Sequence, residues 1–276
     1  MTELQKKELE LLKRFVEICE SEKLRYWLVC GSALGAVKYG GFIPWDDDID
    51  VALPRPDYER FLTIAQDRLP SWCFVQNYRT DPEFHLLGTK LRDSRTTFIE
   101  VMTDSLDINH GVYIDVFPLD GYPDDMEEYR KQRIEFDAKR RVRLNYRRIS
   151  RENALDLKTN YYHAMYRLFG KYSDTSSAIR RFDEYAASFD TATAEKWCNH
   201  ANSDSLDEFA PRDVYGQGKE AVFEGLSVKA PEKFDEYLTQ KYGDWRVDLP
   251  DSEKVGHHLT VKRDLDRPYT EYIGKK

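Results

Sequence analysis

Two aspartates one residue apart, Asp48 and Asp50, run into the apolar stretch Val51-Ala52-Leu53, with Ile49 between them. In an extended chain side chains alternate faces, so both carboxylates project to one side while Ile49 and Val51 are buried on the other. Their α-carbons would stand roughly 7 Å apart at about 3.3 Å per residue, from which two carboxylates can converge on divalent cations. Upstream, the apolar run Tyr26–Cys30 meets Gly31-Ser32. A glycine and a serine at a strand–helix junction suit an anion, because a helix N-terminus offers unpaired N–H groups and a positive dipole end. Ser32 is also well placed to cap that helix. Acids for metal beside a cradle for phosphate describe a metal-and-phosphate site.

The elements that must position these residues follow from periodicity. Leu11, Leu12, Phe15, Ile18 and Cys19 recur at helical spacing and predict a first helix over roughly residues 3–22. Tyr26–Cys30 reads as a strand, followed by a helix that Gly40-Gly41 stops. The acidic strand then begins at Asp48 and ends at Pro54-Arg55-Pro56, where proline suits the first turn of a new helix. Tyr58, Phe61, Leu62, Ala65 and Leu69 mark the apolar face of that helix. Three strands follow: Cys73–Tyr78, Leu86–Leu91 continuing through Thr97–Val101, and Gly111–Phe117. In the last, Asp115 shares a face with Tyr113 and Phe117, and a carboxylate in so apolar a strand is costly to bury unless something pairs with it. Asp115 is therefore the expected third acid. Pro118–Pro123 reads as a turn-rich boundary. Beyond it, residues 125–200 are expected to be mostly helical, with a basic run from Arg130 to Arg148 and a packing cluster from Tyr161 to Tyr172. A hairpin at Phe223–Val228 and a helix at Phe234–Tyr242, ended by Gly243, close the reading.

Composition bounds the function. The chain has 276 residues, 41% hydrophobic and 33% charged, enough for one elaborated domain or two. A net charge of −8 argues against a general nucleic-acid binder. No apolar run reaches the ~18–20 residues of a membrane span, and acidic residues near Met1 stand where a signal peptide needs an apolar core. The four cysteines lack C-x-x-C spacing and read as free thiols of a reducing cytoplasm.

Leu34–Asp50, ending Gly-Phe-Ile-Pro-Trp-Asp-Asp-Asp-Ile-Asp, resembles the signature of the LicD family within the nucleotidyltransferase superfamily. Lys90–Asp93, Gly111–Asp120, Tyr242–Trp245 and His257-His258 agree with it in order. The resemblance implies an α/β fold: a nucleotidyltransferase-like (polymerase-β-like) mixed sheet flanked by helices. On that reading residues 1–123 form the catalytic core, 124–200 a helical insertion and 201–276 a C-terminal lobe over the active site. It implies transfer of a phospho-alcohol group, most often phosphocholine, from a CDP-linked donor such as CDP-choline to a glycan or lipid-linked glycan, releasing CMP. Mg²⁺, or Mn²⁺ in its place, would be held by Asp48, Asp50 and Asp115. Gly31 and Ser32 would hold donor phosphate, with Lys38, Lys90 and Arg92 as further phosphate contacts or solvated side chains. His257 and His258 are candidates for the base. Asp46 and Asp47 fit a turn or cap, and Asp93 and Glu100 a surface. The expected location is cytoplasmic, with the basic segment meeting an acceptor or the inner membrane face, or only solvent. Nucleotidyl transfer to a small molecule or glycan, and a non-catalytic binding protein on the same fold, stand as alternatives.

Overall fold

The computed structural model describes residues 1–104, 106–134, 136–137, 175–201, 208–256 and 258–273, and it shows a mixed α/β structure. Helix α1 covers Glu3–Glu22, the span its apolar spacing predicts. Thr2 and Gln5 close a capping box at its start, Thr2 Oγ1 accepting from Gln5 N (3.2 Å) and Gln5 Oε1 from Thr2 N (2.8 Å). Strand β1 (Trp27–Leu28) is shorter than expected, and helix α2 (Cys30–Lys38) follows at once. Then come β2 (Asp50–Pro54) and α3 (Arg55–Arg68), which buries Tyr58, Phe61 and Ala65.

Strands β3 (Cys73–Gln76), β4 (Thr89–Asp93) and β6 (Val112–Gly121) complete the central sheet, ordered β1-β2-β6-β4-β3. Its β2–β6 pair is parallel, with Asp50 opposite Asp115, and its other pairs are antiparallel. Strands β7 (Lys196–Cys198) and β8 (Phe209–Pro211) extend it from the far end of β6. The core lies between this sheet and helices α1 to α3, with Phe15, Trp27, Leu28, Phe61 and Ile114 fully enclosed.

Several boundaries differ from the sequence reading. The acidic strand begins at Asp50: the ladder reaches only the Ile49 carbonyl, which accepts from Asp115 N at 2.8 Å. Before it, Gln5 holds the Asp46 carbonyl and His258 holds the Asp47 side chain, so the chain is drawn off the sheet. Pro118–Gly121 is buried strand, not a turn. Asp120 can sit there because Arg55 binds it through two bonds of 2.7 and 2.6 Å and also reaches Asp183. The stretch expected to continue β4 is a separate strand, β5 (Thr97–Glu100), paired with β11 (Thr260–Asp264). Asp93 and Glu100 are not surface residues: Arg95 grips buried Asp93, and half-buried Glu100 accepts from Tyr113 Oη at 3.0 Å. The hairpin of β9 (Lys219–Phe223) and β10 (Leu226–Ala230) and the helix Phe234–Tyr242 lie where expected. Most of the basic segment and the Tyr161–Tyr172 cluster fall outside the described residues. Of the basic run, Arg133 is buried against Asp137 and the His200 carbonyl.

One contact sets where the acids go. Gly35 on α2 faces the turn that follows, and a Cβ there would collide with the Gly41 carbonyl and lie 3.3 Å from Ile43 N. Gly35→Ala is therefore expected to cost about 1–3 kcal/mol, as overpacked cores do. A shift in the urea midpoint measures it.

Candidate active site

A pocket of about 340 Å³ opens along α2. Gly31, Leu34 and Lys38 recur at i, i+3 and i+7, so one face of the helix forms its length. At the N-terminal end of α2 the pocket is walled by Asp46, Asp48 and Asp50. At the other end, where Lys38 meets the 245–248 segment, it is walled by Tyr39, Trp245, Val247 and Leu249, while Tyr242 stands beside Cys30 and the acids. The site is thus acidic at one end, and aromatic and aliphatic at the other.

The predicted residues take the following places. Gly31, Lys38, Asp48 and Asp50 line the pocket. Gly31 permits a close approach, since a Cβ there would lie 2.7 Å from Asp46 Oδ2. That carboxylate therefore lies beside the helix turn expected to hold phosphate. Ser32 is not the cap, which is Val29; it sits within the first turn, and its hydroxyl accepts from Asp50 N at 2.8 Å. The serine thus ties α2 to the acidic strand. Cys30 enters the helix with a left-handed backbone (φ 52°), and its N–H donates to Tyr237 Oη at 3.1 Å.

Asp115 and Lys90 are neighbours of Asp50 in one row across the sheet, since Asp50 pairs with Asp115 and Asp115 with Lys90. Side chains in register share a face, and Lys90 Nζ donates to Asp115 Oδ2 at 3.0 Å. The same ammonium lies 3.3 Å from the centroid of the Tyr113 ring. Arg92 is turned inward: it donates to Gln76 Oε1 (2.6 Å) and the Gly111 carbonyl (2.7 Å), with Tyr113 4.5 Å away. Lys38 donates to the carbonyls of Trp245, Arg246 and Val247 and pairs with Asp248. His258 hydrogen-bonds Asp47 Oδ1 through Nδ1 at 3.0 Å, and its Nε2 is 3.9 Å from Asp48 Oδ2. His257 lies outside the described residues.

Burial and mutual repulsion dominate the electrostatics. Burial, then the neighbouring charge of Asp46, push the Asp48 carboxyl up to about 7, with His258 opposing. Burial and the charges of Asp48 and Asp115 hold Asp50 well above the usual carboxylate range. Asp46 is raised chiefly by burial. For His258, burial lowers the pKa, but the bond to Asp47 and the charge of Asp48 leave it raised overall.

An acid that the motif does not contain also belongs here. Glu8, on the buried face of α1, is 2% exposed, and its Oε2 has no hydrogen-bond partner. Burial first, then Asp48, Asp47 and Asp46, raise it well above the usual range. Its signal in the sequence is a charged residue on the same helical face as Leu4, Leu11, Leu12 and Phe15.

Comparison with known proteins gives the class. A relative aligned along nearly the whole chain is the "Lipopolysaccharide cholinephosphotransferase LicD" of Haemophilus influenzae, 25% identical over 270 residues, 91% of this chain and 93% of the relative. A shorter match is the human "Ribitol 5-phosphate transferase FKRP", 43% identical over 48 residues, 17% of this chain and 10% of that protein. The class these relatives define is a transferase of phosphorus-containing groups. Residues 23–150 match the model of the LicD/FKTN/FKRP nucleotidyltransferase domain.

The raised acids have a consequence for stability. A carboxyl whose pKa is higher in the folded than in the unfolded chain supports folding below its unfolded pKa, and that support is lost as pH rises through the folded value. For Asp48 the window runs from 3.8 to about 7. Without divalent cations, the urea midpoint is therefore expected to fall between pH 5.5 and 7.5. Asp48→Asn should flatten that fall; an equal slope in the variant would contradict the assignment.

Proposed function

We propose that this chain is a Mg²⁺-dependent phosphotransferase on a nucleotidyltransferase-like core. It moves a phospho-alcohol group, phosphocholine before other head groups, from a CDP-linked donor to a hydroxyl of a cell-surface glycan precursor and releases CMP. The observation that carries this reading is the meeting of Asp46, Asp48 and Asp50 with the first turn of α2 in one pocket. The match of residues 23–150 to the LicD/FKTN/FKRP domain, and the transferase activities that the relatives are named for, support it.

The donor set fits a hard cation. Buried carboxylates that raise one another's pKa are relieved by a divalent ion with oxygen ligands, the chemistry of Mg²⁺. Among the described residues no three His, Cys, Asp or Glu side chains already surround a single point. Asp48, Asp50 and Asp115 would hold the ion, which would neutralise the diphosphate and the charge developing on the leaving CMP. The protein's own part is position. Ser32 fixes the backbone of Asp50, the parallel register fixes Asp115 beside it, and Lys90 fixes the Asp115 side chain. The acceptor oxygen forms its bond to the phosphorus that carries the alcohol, and the bond from that phosphorus to CMP breaks. The hydroxyl proton passes to a carboxylate of the cluster or to His258, whose ring Asp47 orients.

A location against the inner membrane face belongs to the same proposal. Among the described residues no helix is long and apolar enough to cross a membrane.

Asp48→Asn and Asp50→Asn should each lower turnover of a CDP-alcohol by at least about 10²–10³, the scale for losing a charge-stabilising group, with the fold intact by circular dichroism. Turnover within a few-fold of the parent would refute the metal assignment. Product analysis tests the bond that breaks: free CMP supports phospho-alcohol transfer, and a nucleotide left on the acceptor overturns it. A melting panel of CDP-choline and CDP-ribitol with Mg²⁺ reads the head group, since ligand at 100 times its Kd adds about 2.7 kcal/mol.

A further inference from the structure

Lys38 closes α2 at the far end of the pocket, and its ammonium has three hydrogens to give. Four acceptors from one short segment surround it: Asp248 Oδ1 at 2.8 Å and the carbonyls of Arg246 (3.1 Å), Trp245 (3.2 Å) and Val247 (3.4 Å). The lysine side chain is 17% exposed, whereas Asp248 is 69% exposed. A solvated carboxylate contributes little, so the carbonyls carry most of the attachment. An ammonium with its donors engaged in this way has none left for a phosphate. Apolar packing holds the segment only at Trp245, whose ring meets Phe234 with 6.4 Å between centroids. Val247 and Leu249 remain exposed, while Trp245 is oriented by Asp235, which accepts from Nε1 at 3.1 Å. These side chains nevertheless line the pocket opposite the acids.

We propose that Lys38 is a positioning residue rather than a phosphate contact, fastening residues 243–249 as the wall that grips the nucleoside end of the donor. The ligand named here rests on the CDP-donor reading; the attachment itself does not. The chemistry of the two ends argues for this orientation. Carboxylates that take divalent cations belong at the diphosphate, which leaves Tyr39 and Trp245 for the planar base, since aromatic rings accept any base by stacking. Gly31 and Lys38 are seven residues apart on one helix, roughly 10 Å at 1.5 Å per residue, so the two ends can be reached by different parts of one ligand.

Amide hydrogen exchange on the full chain without ligand tests the attachment. Lys38→Met should speed exchange across 243–249 by about tenfold or more, the scale of losing a charge-assisted hydrogen bond. The central sheet should keep its protection, and Lys38→Arg should restore most of the protection of the segment. With a CDP-linked donor, Lys38→Met should raise KM about tenfold and change kcat less than about threefold. Unchanged exchange in 243–249 overturns the proposal, as does a collapse of kcat at unchanged KM, the mark of a transition-state phosphate contact. If Lys38→Met loosens the whole chain, Lys38→Gln, a polar side chain without the charge or the reach, decides: faster exchange confined to the segment supports the attachment, and none refutes it. If the parent binds no nucleotide, the donor reading fails while the exchange result still stands or falls alone.

Discussion

The site depends on bringing like charges together in a place with little water. Two carboxylates about 7 Å apart repel by roughly 2 kcal/mol at an effective dielectric constant near 20, and the cluster holds more than two. The fold meets this cost mainly through the backbone. Ser32 accepts from Asp50 N, the Ile49 carbonyl accepts from Asp115 N, and Gln5 donates to the Asp46 carbonyl. None of these bonds neutralises a carboxylate, so each acid is fixed in position while its charge remains available. Lys90 on Asp115 and His258 on Asp47 are the exceptions. Relief then comes from protons, which the raised pKa of Asp48 and Asp50 records, or from a cation.

Helix α2 transmits that arrangement along the pocket. At nine residues it is too short to be stable alone, so its position is set by what it packs on. Gly35 admits the 40–43 turn. The hairpin β9–β10 supports that turn, with Glu224 N donating to the Gly40 carbonyl and Glu224 Oε1 accepting from Phe42 N. The Phe234–Tyr242 helix reaches the start of α2 through Tyr237. Strand β11 also brings the end of the chain onto β5, next to His258. The acidic motif lies early in the sequence, yet the walls that give it a pocket come from its last part.

This division explains what could be read in the sequence. Local signals held: the apolar stripe of α1, Gly40 after α2, Pro56 at the start of α3, and the hairpin around Phe223–Val228 each act within a few residues. The placing of Asp115 beside Asp50 could also be anticipated, because an isolated acid in an apolar strand is a local pattern, whereas alternation does not reach Asp48, which precedes the strand. What could not be read was the partner of each polar group. Ser32 looked like a cap but serves a strand eighteen residues away, and Lys38 looked available for phosphate but is bound to carbonyls more than two hundred residues on. Asp120 looked like a turn residue because the arginine that buries it, Arg55, is sixty-five residues away, whereas the partner of Asp93, Arg95, is two residues on and was overlooked. Glu8 gave a signal, a charge on a buried helical face, with nothing nearby in sequence to explain it.

The placement of cations is the last constraint. Lys38 is the one cation lining the pocket among the described residues, and it is turned to the 245–248 segment. Lys90 and Arg92 lie on either side of Tyr113, within the sheet. Under the proposed reaction an anionic diphosphate would therefore enter a pocket whose acids repel it and whose fixed cations are committed elsewhere. Neutralisation then falls to ions that arrive with the donor. Linkage makes that dependence reciprocal: whatever factor the cation adds to donor affinity, the donor must add to cation affinity. Under that reaction the site would hold neither partner firmly alone, and its selectivity would lie in the pair and in the aromatic wall met by the other end of the donor.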